Sequence, residues 1–218
     1  MCFSATASFA VATGTGLVGV LAATKVSNWR EIPLASMPLI FAAQQGIEGV
    51  LWLRLASADG TDWIGPLANI FAVIALVVWP VWSPLAAGLI ERDRPRRLAI
   101  AVLLGLGLVV ALFGLADIQA SPYGVAILGR SLSYANGVVH SPLLLGAYVL
   151  CTCGPLLLSS HAMLRLFGAI VVAGLVVSAV FYFAVSFSVW CFFAAAGSVM
   201  VYLYFAAVPE RAATRRAV

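Results

Sequence analysis

Charge is scarce in this chain. Asp, Glu, Lys and Arg make up 9% of its 218 residues, against about 25% in a soluble domain. That scarcity excludes an ordinary water-soluble fold. With 63% of residues hydrophobic and a mean hydropathy of +1.08, such a fold would expose wide apolar patches. Polar stretches long enough to form a soluble domain between the apolar runs are also missing. The net charge of +4 does not point to nucleic acid, because the few basic residues sit at the ends of apolar runs, as membrane orientation signals do.

The first apolar run lacks a basic leader, since nothing before Lys25 is charged. Ala22-Ala23-Thr24 is a poor cleavage site, and Lys25 and Arg30 follow the run instead of preceding it. The expectation is an uncleaved first helix with its N-terminus outside.

What is present is one apolar run after another, each near the roughly 20 residues that span a bilayer. Only helices bury every backbone group within one segment. The expected fold is therefore all-α: a single transmembrane bundle over residues 1–218 with about seven spans. The spans read as Ser4–Thr24, Ile32–Leu55, Ile64–Ile90, Arg97–Ile118, Ser141–Ser160, Ala162–Ala184 and Val189–Val208. No two of them repeat one another. With the N-terminus outside, Lys25, Arg30, Arg92, Arg94, Arg96, Arg97, Arg165, Arg211, Arg215 and Arg216 fall on the cytoplasmic side, and only Arg54 and Arg130 outside. This satisfies the positive-inside rule and places the C-terminus in the cytoplasm of a multi-pass inner (plasma) membrane protein. Trp29 then sits at the inner interface, and Trp52, Trp63 and Trp190 at the outer one. The Arg92–Arg97 run reads as a topology anchor.

Orientation gives each polar residue a depth. At 1.5 Å per residue, Glu48 lies roughly 24 Å from the inner end of the second span, in the outer third. Asn69, Asp117, His140, Tyr182, Cys191 and Cys2 fall on the same side, while Arg165 is the ionisable residue of the inner half. Gln44, Gln45, Glu48 and Trp52 are spaced three and four apart and share a helix face. A carboxylate at that depth is costly unless paired, protonated or metal-bound. His140 offers a base or metal ligand. Cys2, with its amine exposed if Met1 is removed, offers a thiolate–amine chelate. The plainer readings are a packing Glu, an interfacial His and a small interfacial Cys.

Other features read as structural. Cys151 and Cys153 are about 200° apart on a helix and not a redox pair. Gly14, Gly16, Gly19, Gly105 and Gly107 read as close-packing sites, Pro80, Pro84 and Pro155 as kinks, and His161 as a helix C-terminal cation. Residues 119–139 form an extracytoplasmic loop with turns at Ser121–Gly124 and Tyr134–Gly137. Val125–Leu128 and Ser131–Tyr134 could pair around Gly129 as a hairpin, placed to act as a lid.

The opening Met-Cys-Phe-Ser-Ala-Thr-Ala-Ser-Phe, with Gln44-Gln45-x-x-Glu48-Gly49 and His140, resembles a family of uncharacterised bacterial seven-helix membrane proteins that begin Met-Cys-Phe-Ser-Ala. That resemblance brings no activity with it. The last span lacks the paired histidines of membrane hydrolases related to alkaline ceramidases, and the lysine of a retinal protein. The functional expectation rests on the residues: a polar pocket in the outer leaflet that binds copper or zinc through Cys2, Glu48, Asp117 and His140. Glu48 and His140 would be the acid/base pair if the protein is a metal-dependent enzyme, with Gln44, Gln45, Trp52 and Asn69 holding the ligands in place. The alternatives are a receptor or lipid- or small-molecule-binding subunit of a membrane complex, and a transporter, which needs an inner opening.

Overall fold

The computed structural model describes residues 4–57, 63–129, 131–135, 141–181 and 186–207. They form α1 (Ala5–Ala23), α2 (Ile32–Ala56), α3 (Ile64–Val73), α4 (Trp79–Ile90), α5 (Arg94–Ala120), strands β1 (Gly124–Leu128) and β2 (Ser131–Ala135), α6 (Pro142–Leu158), α7 (Ala162–Phe181), α8 (Ser186–Gly197) and α9 (Val199–Ala206). A short 3-10 turn, Trp29–Glu31, leads into α2. Ser4 caps α1 through its side chain, which accepts from the Ala7 amide.

Among the described residues, five helical stretches are long and apolar enough to cross a membrane: Ala5–Ala23, Ile64–Ile90, Arg94–Ala120, Ala162–Phe181 and Ser188–Ala206. α6 is apolar but only 17 residues long. α2 has the length, 25 residues, but Gln44, Gln45, Glu48 and Arg54 dilute its apolar character. It compensates by facing inward, with Gln44, Gln45 and Glu48 all 0% exposed. Exposed apolar surface is instead supplied by helices such as α5, where Leu98, Val102, Leu112 and Phe113 are all more than half exposed.

The third span is not one regular helix. Ile74–Val78 winds as a π-helix between α3 and α4. Pro80 has no N–H for the Leu76 carbonyl, and Pro84 has none for the Pro80 carbonyl, so both oxygens lack their i+4 donors. Both lean toward α5, where glycines make room. A Cβ at Gly107 would lie 1.9 Å from the Pro80 oxygen, and one at Gly114 3.0 Å from the Leu76 oxygen. The close-packing expectation holds at Gly107 and at Gly19, which abuts Leu39. It fails at Gly14 and Gly105, where nothing lies within 4 Å.

β1 and β2 pair antiparallel from Gly124↔Ala135 to Leu128↔Ser131. Gly129 takes a positive φ of 61° at the turn, a conformation glycine adopts without steric cost. The hairpin packs on α3 and α8. Its Leu132 is fully buried against Leu51 and Trp52 of α2. Two tryptophans expected at the outer interface therefore sit inside the protein: Trp52 is covered by the hairpin, and Trp190 is 6% exposed and donates to the Val171 carbonyl. Trp29 and Trp63 are exposed, as belt residues are.

Candidate functional site

Glu48 lies near the end of α2 that meets the hairpin. Its carboxyl accepts from the Ser188 hydroxyl of α8 at 2.5 Å, from the Gln45 amide at 3.2 Å and from the Tyr134 hydroxyl of β2 at 3.4 Å. Three elements thus converge on one fully buried side chain. Tyr134 is fixed in turn by stacking on Phe71 of α3, with ring centroids 4.4 Å apart. One turn deeper, Gln44 accepts from the Trp79 indole at 2.9 Å and donates to the Cys191 sulfur at 3.5 Å. Phe41 stacks on Trp79 at 4.0 Å. Below this layer a cavity of about 40 Å³ is walled mainly by Phe41, Trp79, Tyr148, Phe167 and Trp190.

Two buried polar atoms at this end have no partner among the described residues, Ser8 Oγ and Trp52 Nε1. Trp52 follows Glu48 by four positions, on the same helix face. Ser8 precedes Phe9, whose ring would lie 2.7 Å from a Cβ at Gly49, so it sits at the level of the residue after Glu48. A buried donor without a partner costs about 1–3 kcal/mol. Two of them at the same end as a buried acid call for an explanation.

The expected site residues separate. Gln44, Gln45, Glu48 and Trp52 stand together on α2. Asn69 braces the hairpin instead: it accepts from the Tyr123 amide at 2.9 Å and donates to the Gly65 carbonyl at 2.8 Å. Asp117 accepts from the Tyr123 hydroxyl at 3.2 Å, so both residues anchor the base of the hairpin. Cys2 and His140 lie outside the described residues. Among the described residues, no three His, Cys, Asp or Glu side chains are placed to hold a metal ion.

Sequence reasoning missed three participants. Ser188 and Tyr134 carry no signal of their own, because neutral hydroxyls acquire a role only through the partner they meet. The opposite end of the bundle holds the third, Glu91, in the turn after α4. It is 2% exposed and accepts from the Ser160 amide and hydroxyl at 2.7 Å each, the Ser159 hydroxyl at 3.3 Å, and the Arg92 and Asp93 amides at 2.9 and 3.0 Å. Burial pushes its pKa up, but the Ser160 bonds and the turn amides outweigh it and hold the carboxyl down at about 2. Glu91 thereby ties the α4–α5 turn to the α6–α7 turn. His161, expected as a helix C-terminal cation, sits in that second turn 3.4 Å from the Ile90 carbonyl and edge-on to Tyr204. Cys151 and Cys153 are buried free thiols.

No curated protein and no solved structure matches the chain. A family of unknown function, DUF6629, matches residues 1–217, and the chain belongs to it.

Proposed function

We propose that this is a seven-span inner-membrane protein with its N-terminus outside, and that it binds a small ligand at Glu48 beneath the hairpin. One observation carries the binding reading: Ser8 Oγ and Trp52 Nε1 are buried without partners among the described residues, at the same end of the bundle as a carboxyl that three elements converge to hold. A packing glutamate would need the carboxyl bonds alone. It would not need two further polar groups left unsatisfied at the same level, and a ligand bridging them would offset their desolvation. Acids inside a membrane are costly to retain and tend to mark function.

The ligand class is one that a carboxyl can bind while hydroxyl and indole donors complete the shell: a small cationic or polar molecule, or a transition metal. In the metal form, Glu48 with Cys2 and His140 holds copper or zinc, and Asp117 joins only by leaving Tyr123. Glu48 and His140 are then the groups that would move protons in any catalysis. Transport is less well supported. The Gln44–Trp79–Cys191 layer and the aromatic-walled cavity beneath it separate Glu48 from the other end of the bundle.

Elemental analysis beside native mass spectrometry of the detergent-purified full chain tests this. A metal or small molecule at about one per chain, absent from Glu48→Gln, is the expected result. Wild type and Glu48→Gln carrying the same adducts, or none, would overturn it.

A further inference from the structure

The far end of the bundle from Glu48 holds a polar recess, apart from the Glu48 cluster. It is a recess of about 270 Å³ lined by Arg30, Arg92, Arg97, Glu31, Glu91 and His161, with Tyr204 on its wall. Separate stretches of chain build it: the 3-10 turn before α2, the α4–α5 turn with the start of α5, the α6–α7 turn and α9. The Glu48 ligand makes no use of it, since Glu31 and Glu48 are 17 positions apart, roughly 25 Å along a helix.

The recess has acids and bases, but they are not equally available. Glu91 is occupied by five donors from two turns. Glu31 accepts from the Ser27 amide at 3.0 Å and the Ser27 hydroxyl at 3.2 Å. Arg96 and Arg165, which do not line the recess, are also spent: they donate to the carbonyls of Leu158, Ser159 and Ser160, and Arg96 pairs with Asp93. The guanidinium groups of Arg30, Arg92 and Arg97 make no hydrogen bond or ion pair among the described residues. Arg30 lies over the Trp29 ring at 5.5 Å. A topology signal requires only net charge on one side. It does not require arginines from two parts of the chain to converge on one recess whose buried acid Glu91 is already held by five neutral donors.

We propose that this recess binds a phosphate group, gripped by Arg30, Arg92 and Arg97. The planar guanidinium fork matches phosphate oxygens bidentately, which a lysine cannot do. The volume falls just short of the roughly 300–1,000 Å³ of drug-sized pockets, so it suits a head group or a small anion. Two sources supply that chemistry: an anionic phospholipid of the adjoining leaflet, whose head group basic pockets between helices can hold, and free phosphate in solution.

Native mass spectrometry of the full chain in a non-ionic detergent, titrated separately with phosphatidylglycerol and with inorganic phosphate, tests the proposal. The expected result is one bound ligand per chain, with affinity weakened roughly tenfold or more in Arg92→Gln/Arg97→Gln and unchanged in Arg94→Gln. Arg94 is exposed on the first turn of α5 and does not line the recess. Lipid binding that inorganic phosphate does not displace assigns the recess to a head group. Phosphate binding without lipid binding assigns it to the soluble anion, and either supports the proposal. No binding of either probe, or equal loss in Arg94→Gln, overturns it. Arg30→Gln, on a different segment, must reproduce the loss, and it keeps the question open to a decisive answer if the double variant does not fold.

Discussion

The Ser188 hydroxyl lies 2.5 Å from Glu48 Oε1, joining α8 to α2 across 140 positions of sequence. This contact fixes the last helical stretch against the second at the level where the hairpin closes over both. Ser188→Ala removes a donor from a fully buried carboxyl, and removing one partner of a buried polar group costs about 1–3 kcal/mol. Thermal or denaturant unfolding in detergent should show a loss of that size. Ser188→Thr, which keeps the hydroxyl, should recover part of it. An unchanged unfolding midpoint in Ser188→Ala would show that the contact contributes nothing.

Glycine matters at Gly107 of α5 and not at its near neighbour Gly105. A methyl at Gly107 would lie 1.9 Å from the Pro80 oxygen, a backbone atom that cannot swing away. Gly107→Ala should therefore force α4 and α5 apart and cost about 1–3 kcal/mol or more, as overpacking does. Gly105 has nothing within 4 Å of such a methyl, so Gly105→Ala should gain about 0.5–1 kcal/mol from helix propensity alone. Paired unfolding curves read the opposite signs directly. A gain in both variants would mean that the proline-freed carbonyls do not press on α5.

Glu91 should give the protein an acid-sensitive hinge. Its carboxyl is held down from 4.5 to about 2 when folded, so the folded state resists protonation more than the unfolded chain does. Its stabilising contribution is complete above about pH 4.5 and is lost as pH falls toward 2. Stability measured across that window should fall in wild type and fall less steeply in Glu91→Gln, whose amide does not titrate. Identical slopes would rule out Glu91 as the source.

Helices apolar and long enough to cross a membrane were legible from composition, and the Glu48 face from the spacing of Gln44, Gln45 and Trp52, because helical period and scarcity of charge are local properties. The hairpin could be read from Gly129 between two short apolar stretches. Other features were not local. Asp117 and Asn69 lie at the hairpin end of the bundle, but Tyr123 lies between them and claims both, and only the three-dimensional course of the hairpin decides that. Trp52 and Trp190 looked like interfacial belt residues because a tryptophan near the end of an apolar run reads that way, whereas the hairpin over Trp52 and the Val171 carbonyl that meets Trp190 are distant in sequence. Glu91 carries no signal in the sequence, since its partners Ser159 and Ser160 lie 68 and 69 positions away.

Ser8 separates a ligand site from a merely packed interior. Its hydroxyl is fully buried and has no partner among the described residues, so in the absence of ligand Ser8→Ala removes a desolvated polar group and leaves a methyl of nearly the same size. Stability of the ligand-free protein should then be unchanged or rise by about 1 kcal/mol. If a ligand at Glu48 uses that hydroxyl, the extra stability conferred by adding copper or zinc, or whatever small molecule copurifies, should be smaller in Ser8→Ala than in wild type, because ligand stabilisation follows affinity. A thermal-shift titration of both proteins measures the two effects in one experiment. A variant less stable without ligand would mean that the Ser8 hydroxyl is already satisfied in the ligand-free protein. Equal ligand-induced shifts in the two proteins would place the ligand out of its reach.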